Sequence, residues 1–175
     1  MCRIDFLIPG DTEALTGGYT YDRELAAAMT SAGFDIAIRQ LHADLSRPAA
    51  RTAAAQLIEG LPDGALALVD GLALADLADV LAAAAHRLRL CALVHHPGAL
   101  ETGLSQQAAE RIAERELAAL SKMQRIICTS RWTADELTNS GLPGERIRVV
   151  EPGVDASIAA SRFGGLRRDP KTAHR

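Results

Sequence analysis

The sequence predicts a single α/β domain built on a doubly wound, mostly parallel sheet. Short apolar segments alternate with longer segments of helical period along most of the chain, as in repeated βα units. Glycine, proline or aspartate follows most of the short segments, which is typical of the turns between such units. The length of 175 residues, with 48% apolar and 23% charged residues, suits one domain with a sizeable core.

The first forty residues predict a βαβ unit. An apolar strand at residues 3–8 ends at Pro9-Gly10, and a polar loop then closes on Gly17-Gly18. The period becomes helical at Tyr19, and Gly33 stops that helix before a second strand at residues 34–39. One side of the helix is apolar and the other polar; the apolar side holds Tyr21, Leu25, Met29 and Ala32, and the polar side Asp22, Arg23 and Glu24.

The remaining elements alternate in the same way. The predicted helices cover residues 48–59, 73–86 and 105–123, and a segment capped by Ser130 or Thr133 that ends at Gly141. The predicted strands cover residues 65–69, 88–94, 125–129 and 146–150. We expect the first three of these to be adjacent or nearly adjacent to the strand at 3–8, all parallel. In the helix at 105–123, the expected buried stripe is Ala109, Ala113, Leu117 and Leu120.

Two histidines end the most apolar strand. His95 and His96 follow residues 88–94, at the strand's carboxyl end, where open α/β sheets bind ligands. A neutral imidazole accepts from a hydroxyl, and a protonated one stabilises negative charge; the alternative for His95 is a structural residue at a strand end. Because side chains alternate along a strand, His96 should point away from His95. We therefore expect only one of them to reach a reacting centre.

Other polar and glycine residues follow strands at the same predicted edge. Gly17 and Gly18 allow close backbone approach to a phosphate or a sugar hydroxyl, although a plain turn into a helix is the alternative. Tyr19, Asp70 and Glu101 could bond a polyol. Asp70 could equally cap the next helix, and Glu101 could simply be solvated.

We expect five of these residues to converge on one crevice: Gly17, Gly18, Asp70, His95 and Glu101. Trp132 is expected to pack against the sheet instead of contacting a sugar. No metal site is predicted, because no third ligand stands at a useful spacing from the two histidines.

The composition argues against several classes of partner. Residues 156–175 hold five basic residues and one acidic residue, whereas residues 1–155 hold 14 basic and 21 acidic ones. An acidic body is unsuited to nucleic acid, and 156–175 is expected to be a loose basic tail. Three cysteines without metal spacing and a start directly on a strand predict a cytoplasmic protein with no signal peptide and no transmembrane segment.

Several motifs occur in an order that suggests a family. They are the loop from Pro9 to Gly17-Gly18-Tyr19, the strand ending in His95-His96-Pro97, the segment Ile127-Cys128-Thr129-Ser130, and the run from Arg146 to Glu151-Pro152-Gly153-Val154-Asp155. Together these resemble the amino-terminal, acceptor-side domain of the family-four glycosyltransferases of GT-B fold. The resemblance covers residues 1–155 and implies a Rossmann-like domain that is one half of a two-domain architecture.

The resemblance also implies a function. Members are retaining enzymes that use a nucleotide-diphosphate sugar as co-substrate and need no other cofactor. By this likeness His95 faces the transferred sugar as the catalytic residue, Gly17 and Gly18 contact the donor, and Tyr19, Asp70, His96 and Glu101 serve the acceptor.

The family's donor-binding domain would follow Asp155, where this sequence continues for only twenty residues. We therefore expect an acceptor-binding half whose donor domain could come from another chain. The alternatives are a non-catalytic partner subunit, a truncated remnant, or an unrelated Rossmann-like binding domain.

Overall fold

A computed structural model describes residues 3–153. Within this range the chain forms six strands and five α-helices. The strands are β1 (Arg3–Pro9), β2 (Asp35–Leu41), β3 (Leu66–Asp70), β4 (Arg89–Val94), β5 (Arg125–Cys128) and β6 (Ile147–Val149). The helices are α1 (Gly17–Ser31), α2 (Pro48–Glu59), α3 (Gly71–Ala84), α4 (Gln106–Leu120) and α5 (Arg131–Asn139). The predicted tail at 156–175 lies outside the described residues.

The six strands form one parallel sheet in the order β2-β1-β3-β4-β5-β6. The four strands predicted to be adjacent or nearly so, β1, β3, β4 and β5, stand in succession, and every pairing between neighbours is parallel. The predicted fold class is therefore confirmed. Because all strands run the same way, the loops after β1, β3, β4 and β5 meet at one carboxyl edge.

The two faces of the sheet are covered unequally. Buried residues of α2, α3, α4 and α5 pack against one face in a large apolar cluster. On the other face, α1 packs Tyr21, Leu25 and Met29 around a smaller cluster that includes Phe6 and Leu93. The start of α1 thus lies close to the carboxyl ends of the central strands.

Helix α1 begins two residues earlier than predicted. Thr16 caps it by accepting a hydrogen bond from the Tyr19 amide at 3.3 Å. Gly17 and Gly18 are therefore its first two residues and not loop residues, and neither has a positive φ. The polar side assigned to this helix was also wrong in part, since Asp22 is only 1% exposed.

Helix α4 is rotated from its predicted orientation. Its buried residues are Glu116, Ala119 and Leu120, whereas Ala113 is exposed and Leu117 is 37% exposed. The Glu116 carboxylate accepts hydrogen bonds from the Gly98 amide at 3.1 and 3.2 Å. A buried polar side chain is tolerated when it has a hydrogen-bond partner. The bond to the Gly98 amide therefore lets Glu116 turn inwards, where the predicted stripe had only apolar residues.

Candidate functional site

His95 lies between two buried carboxylates at the carboxyl edge of the sheet. Its Nε2 atom is 2.9 Å from Asp22 Oδ1 and 3.6 Å from Asp70 Oδ2. Both aspartates are 1% exposed, and the His95 side chain is 23% exposed. We call these three residues the histidine cluster.

Each member is fixed by the element that carries it. Asp70 ends β3 and caps α3, where its Oδ1 accepts from the Leu72 amide at 2.8 Å; Oδ2 is left to face His95. The predicted capping role is thus present together with the contact to His95. Asp22 lies one turn into α1, and its Oδ1 bonds the same imidazole nitrogen, Nε2.

The main chain and ring of His95 are held as well. Its carbonyl accepts a hydrogen bond from Thr133 Oγ1 at 3.0 Å, which explains why Thr133 is fully buried while Ser130 caps α5. The Tyr21 ring meets the imidazole edge-on at a centroid distance of 5.4 Å. The Tyr21 hydroxyl donates to the Val150 carbonyl at 2.7 Å and so links α1 to the chain after β6.

These surroundings make His95 a cation at neutral pH. Burial by itself lowers the pKa of His95, but hydrogen bonds and charge from Asp22 and Asp70 outweigh it and raise the pKa to about 9. Burial raises the pKa of Asp22, and the charge of Asp70 adds to that effect against the opposing influence of His95. Both shifts mean that the histidine cluster keeps a proton at neutral pH.

One atom of the cluster has no partner. Asp22 Oδ2 is buried and lacks a hydrogen bond to any described residue. The three side chains offer ligand atoms within 4.8 Å of one another, a grouping that histidine spacing alone did not predict. A metal ion needs the neutral imidazole, so any cation would have to displace the proton that the two carboxylates stabilise.

The first turn of α1 lies directly over the imidazole. A Cβ atom added at Gly18 would stand 3.6 Å from His95 Cδ2, whereas one at Gly17 would meet nothing within 4 Å. No described residue accepts a hydrogen bond from the amide of Gly17 or Gly18, because first-turn amides have no partner within a helix. The glycines therefore matter for space and for free N–H groups, not for unusual backbone angles.

Tyr19 has a structural partner. Its hydroxyl donates to the Pro9 carbonyl at 2.7 Å and thus joins the start of α1 to the end of β1. A Cβ atom at Gly10 would come within 2.3 Å of this hydroxyl. Burial raises the pKa of Tyr19, with further contributions from Asp70, Asp22 and Asp11. The expected contact to a polyol would have to compete with this bond.

The structure places Gly18 and Asp70 beside His95, and Gly17 precedes Gly18 in the first turn of α1. Glu101 is exposed, and among the described residues it forms no hydrogen bond or ion pair with the cluster through its side chain. Gly18, Asp70 and His95 are thus close together, and the convergence of all five residues on one crevice stays a prediction. Asp22 is the member that sequence reasoning missed; its position four residues after Gly18, one helical turn on, was the available signal.

His96 points away from His95, as strand alternation predicts, and stacks on Trp132. Their ring centroids are 5.2 Å apart and the rings are 13° from parallel. Trp132 is 50% exposed, so the expectation that it packs against the sheet was wrong. The next residue, Thr133, takes the buried position on α5, and Trp132 is left at the surface.

Comparison with known protein families finds a match. Residues 67–158, more than half of the chain, match Glycosyltransferase Family 4. The matched segment contains Asp70, His95, His96 and Trp132, while α1 with Asp22 precedes it. No match was found among curated proteins. Among the described residues, no helix is long and apolar enough to cross a membrane. On the family match and the parallel six-stranded sheet, the chain belongs to Glycosyltransferase Family 4.

Proposed function

We propose that this domain is the acceptor-binding side of a retaining, nucleotide-sugar-dependent glycosyltransferase, with His95 at the transfer centre. The observation that carries the proposal is the histidine cluster: a protonated imidazole held by Asp22 and Asp70 beside two free amides. Perturbed titratable groups at a ligand-binding edge are typical of functional sites.

His95 would act through its charge and its second nitrogen. Nε2 faces Asp22 and Asp70, whereas Nδ1 bonds no described residue and is the nitrogen that can reach a substrate oxygen. When the bond between the sugar's anomeric carbon and the diphosphate breaks, negative charge grows on the diphosphate. A fixed cation with a donor N–H stabilises that charge without reorganisation.

The first turn of α1 would hold the donor. The Gly17 and Gly18 amides point outwards at the positive end of the helix dipole, the arrangement that binds phosphate or a sugar hydroxyl. Gly18 also lets a ligand approach the imidazole closely. Tyr19, Asp70, His96 and Glu101 remain the proposed contacts for the acceptor, with Tyr19 and Asp70 also bonded within the domain.

Sugar transfer needs a second domain that faces this edge of the sheet. Holding two reactants in attack geometry can contribute about 7–11 kcal/mol, and the carboxyl edge of one domain cannot enclose both. We propose that a donor-binding domain, from this chain's full protein or a second subunit, closes on this edge.

We propose no metal and no resident cofactor beyond the nucleotide sugar. We propose a cytoplasmic location, which the unpaired thiols of Cys91 and Cys128 support, and no nucleic-acid partner.

The test is reconstitution. The purified 175-residue chain is offered a panel of nucleotide sugars, alone and with a separately expressed donor-binding domain, and sugar transfer and donor hydrolysis are measured. We expect no turnover from the chain alone and turnover after the second domain is added. Donor-dependent transfer by the isolated chain would overturn the proposal that a second domain is required. If neither preparation is active while the chain still binds its partner domain, the non-catalytic partner subunit is the better explanation.

A further inference from the structure

We propose that Trp132 and His96 form a binding site for a neutral carbohydrate ring of the acceptor. We call the stacked pair the aromatic step. The inference rests on the proposed function, because it assigns the acceptor a chemical class and a position beside His95.

The geometry of the pair is that of a platform. The two rings are nearly parallel at 5.2 Å, so each covers one face of the other and fixes its orientation. Trp132 is nevertheless half exposed and His96 is exposed. An exposed aromatic surface that is already oriented offers large contact area at little entropic cost when a ligand binds.

The aromatic step is rigidly connected to the histidine cluster. His96 follows His95 in the chain, and α5, which carries Trp132, is bonded to the His95 carbonyl through Thr133 at 3.0 Å. A ring resting on the step would therefore keep a fixed relation to the imidazole. Such fixed placement is what a transfer reaction needs from the side that receives the sugar.

The surrounding charges favour a neutral ligand. Asp135 and Glu136 follow Trp132 by three and four residues on α5, the spacing of neighbours on one helix surface. The nearby Arg131 is paired with Glu151 at 3.8 Å.

Excess carboxylate repels the phosphates of a nucleotide but accepts hydrogen bonds from hydroxyl groups. The C–H face of a pyranose or cyclic polyol would lie on the aromatic rings, with its hydroxyls turned to the carboxylates.

Tryptophan fluorescence gives a direct measurement, because Trp132 is the only tryptophan in the chain. The probes are methyl pyranosides of gluco, manno, galacto and N-acetylglucosamine configuration, together with myo-inositol; uridine monophosphate is the phosphorylated comparison. We expect at least one neutral probe to shift the emission to shorter wavelength in a saturable way, since the bound ring displaces water from the indole. Uridine monophosphate should give no saturable shift.

Matched variants separate stacking from other causes. His96→Ala should weaken binding of that probe about 2–10-fold, whereas His96→Phe, which keeps a stacked ring, should retain it. For Trp132→Ala and Trp132→Phe, binding is followed by saturation-transfer NMR; the alanine variant should lose about tenfold or more in affinity and the phenylalanine variant should keep most of it. Circular dichroism checks that each variant is folded.

The proposal is overturned if no neutral probe shifts the wild-type emission, or if His96→Ala and Trp132→Ala bind with wild-type affinity. This outcome is distinct from a failure of the proposed function. Sugar binding at the step does not require His95, and His95→Ala should leave the affinity for the neutral probe within about twofold. A transferase with an unoccupied aromatic step would simply hold its acceptor elsewhere.

Discussion

His95 and His96 are neighbours in the sequence, yet the fold gives them opposite surroundings. His95 turns inwards to two carboxylates that are 1% exposed, and its ring is a cation at neutral pH. His96 turns outwards and stacks flat on a half-exposed tryptophan. The comparison teaches that the face of the sheet to which a side chain points decides its chemistry more than the residue type does.

The difference has a structural cause on each side. Helix α1 covers the His95 side and brings Asp22 and Gly18 next to the imidazole. On the His96 side, α5 turns Thr133 inwards and leaves Trp132 outside. The His95 side is therefore suited to holding a charge, and the His96 side to giving a ligand an exposed aromatic surface.

The comparison is tested most strongly by removing each ring in the complex with a donor-binding domain that we propose to be the active transferase. His95→Ala should lower kcat by about 10²–10⁴-fold, the usual contribution of a positioned charge-stabilising or acid–base group. His96→Ala should instead raise KM for the acceptor by up to about tenfold, with little change in kcat. Steady-state kinetics with saturating donor measures both. Equal kcat for His95→Ala and the wild type would show that this imidazole is structural.

The charge of the histidine cluster should also appear in the pH dependence of stability. The pKa of His95 is raised from 6.5 to about 9 by folding. Its stabilising contribution is therefore fully present below pH 6.5 and is lost as the pH rises through 9. The free energy of unfolding, measured with urea, should fall by about 3 kcal/mol at most between these values.

Two substitutions control that measurement. His95→Gln should remove most of the pH difference, and Asp22→Asn should reduce it, because one of the two carboxylates that hold the proton is gone. His96→Gln, the matched change at the neighbouring position, should leave it in place, since the cluster stays intact. A pH difference that survives His95→Gln unchanged would assign it to other groups.

The same comparison shows how far the sequence could predict this molecule. The parallel sheet and the edge that carries the site followed from short apolar segments between helical ones, since that signal is local. The pairing of Asp22 with His95 spans 73 residues of sequence and depends on how α1 packs. Periodicity alone placed Asp22 on a solvent-facing side and so missed it.

The predicted burial of Trp132 and the predicted buried stripe of α4 were wrong for a related reason. In both, a polar side chain takes the buried place: Thr133 bonds the His95 carbonyl, and Glu116 bonds the Gly98 amide. A hydrophobic pattern does not report such partners, because they lie on other elements. Gly18 does lie beside His95, but Gly17 and Gly18 are helical and not loop residues as predicted, since the capping role of Thr16 was not recognised.

The smallest expected effect concerns Gly17 and Gly18 in the first turn of α1. Gly17→Ala and Gly18→Ala should each stabilise the fold by about 0.5–1 kcal/mol, because alanine loses less entropy on entering a helix and both positions have ordinary backbone angles. Neither added methyl group meets a clash: Gly17 faces open space, and the nearest atom to a Cβ at Gly18 is 3.6 Å away on His95.

Function should respond in the opposite direction. A methyl group at Gly18 would fill the space between the first turn of α1 and the Cδ2 edge of the imidazole, beside the amides proposed to hold the donor, so transfer should fall several-fold for Gly18→Ala and less for Gly17→Ala. A more stable but slower enzyme is the expected result where a site keeps glycine for access and not for folding. Urea denaturation and transfer rates on the same three proteins measure both quantities. If both variants are stabilised and transfer sugar at the wild-type rate, no ligand approaches the first turn of α1, and the donor contact proposed for Gly17 and Gly18 is wrong.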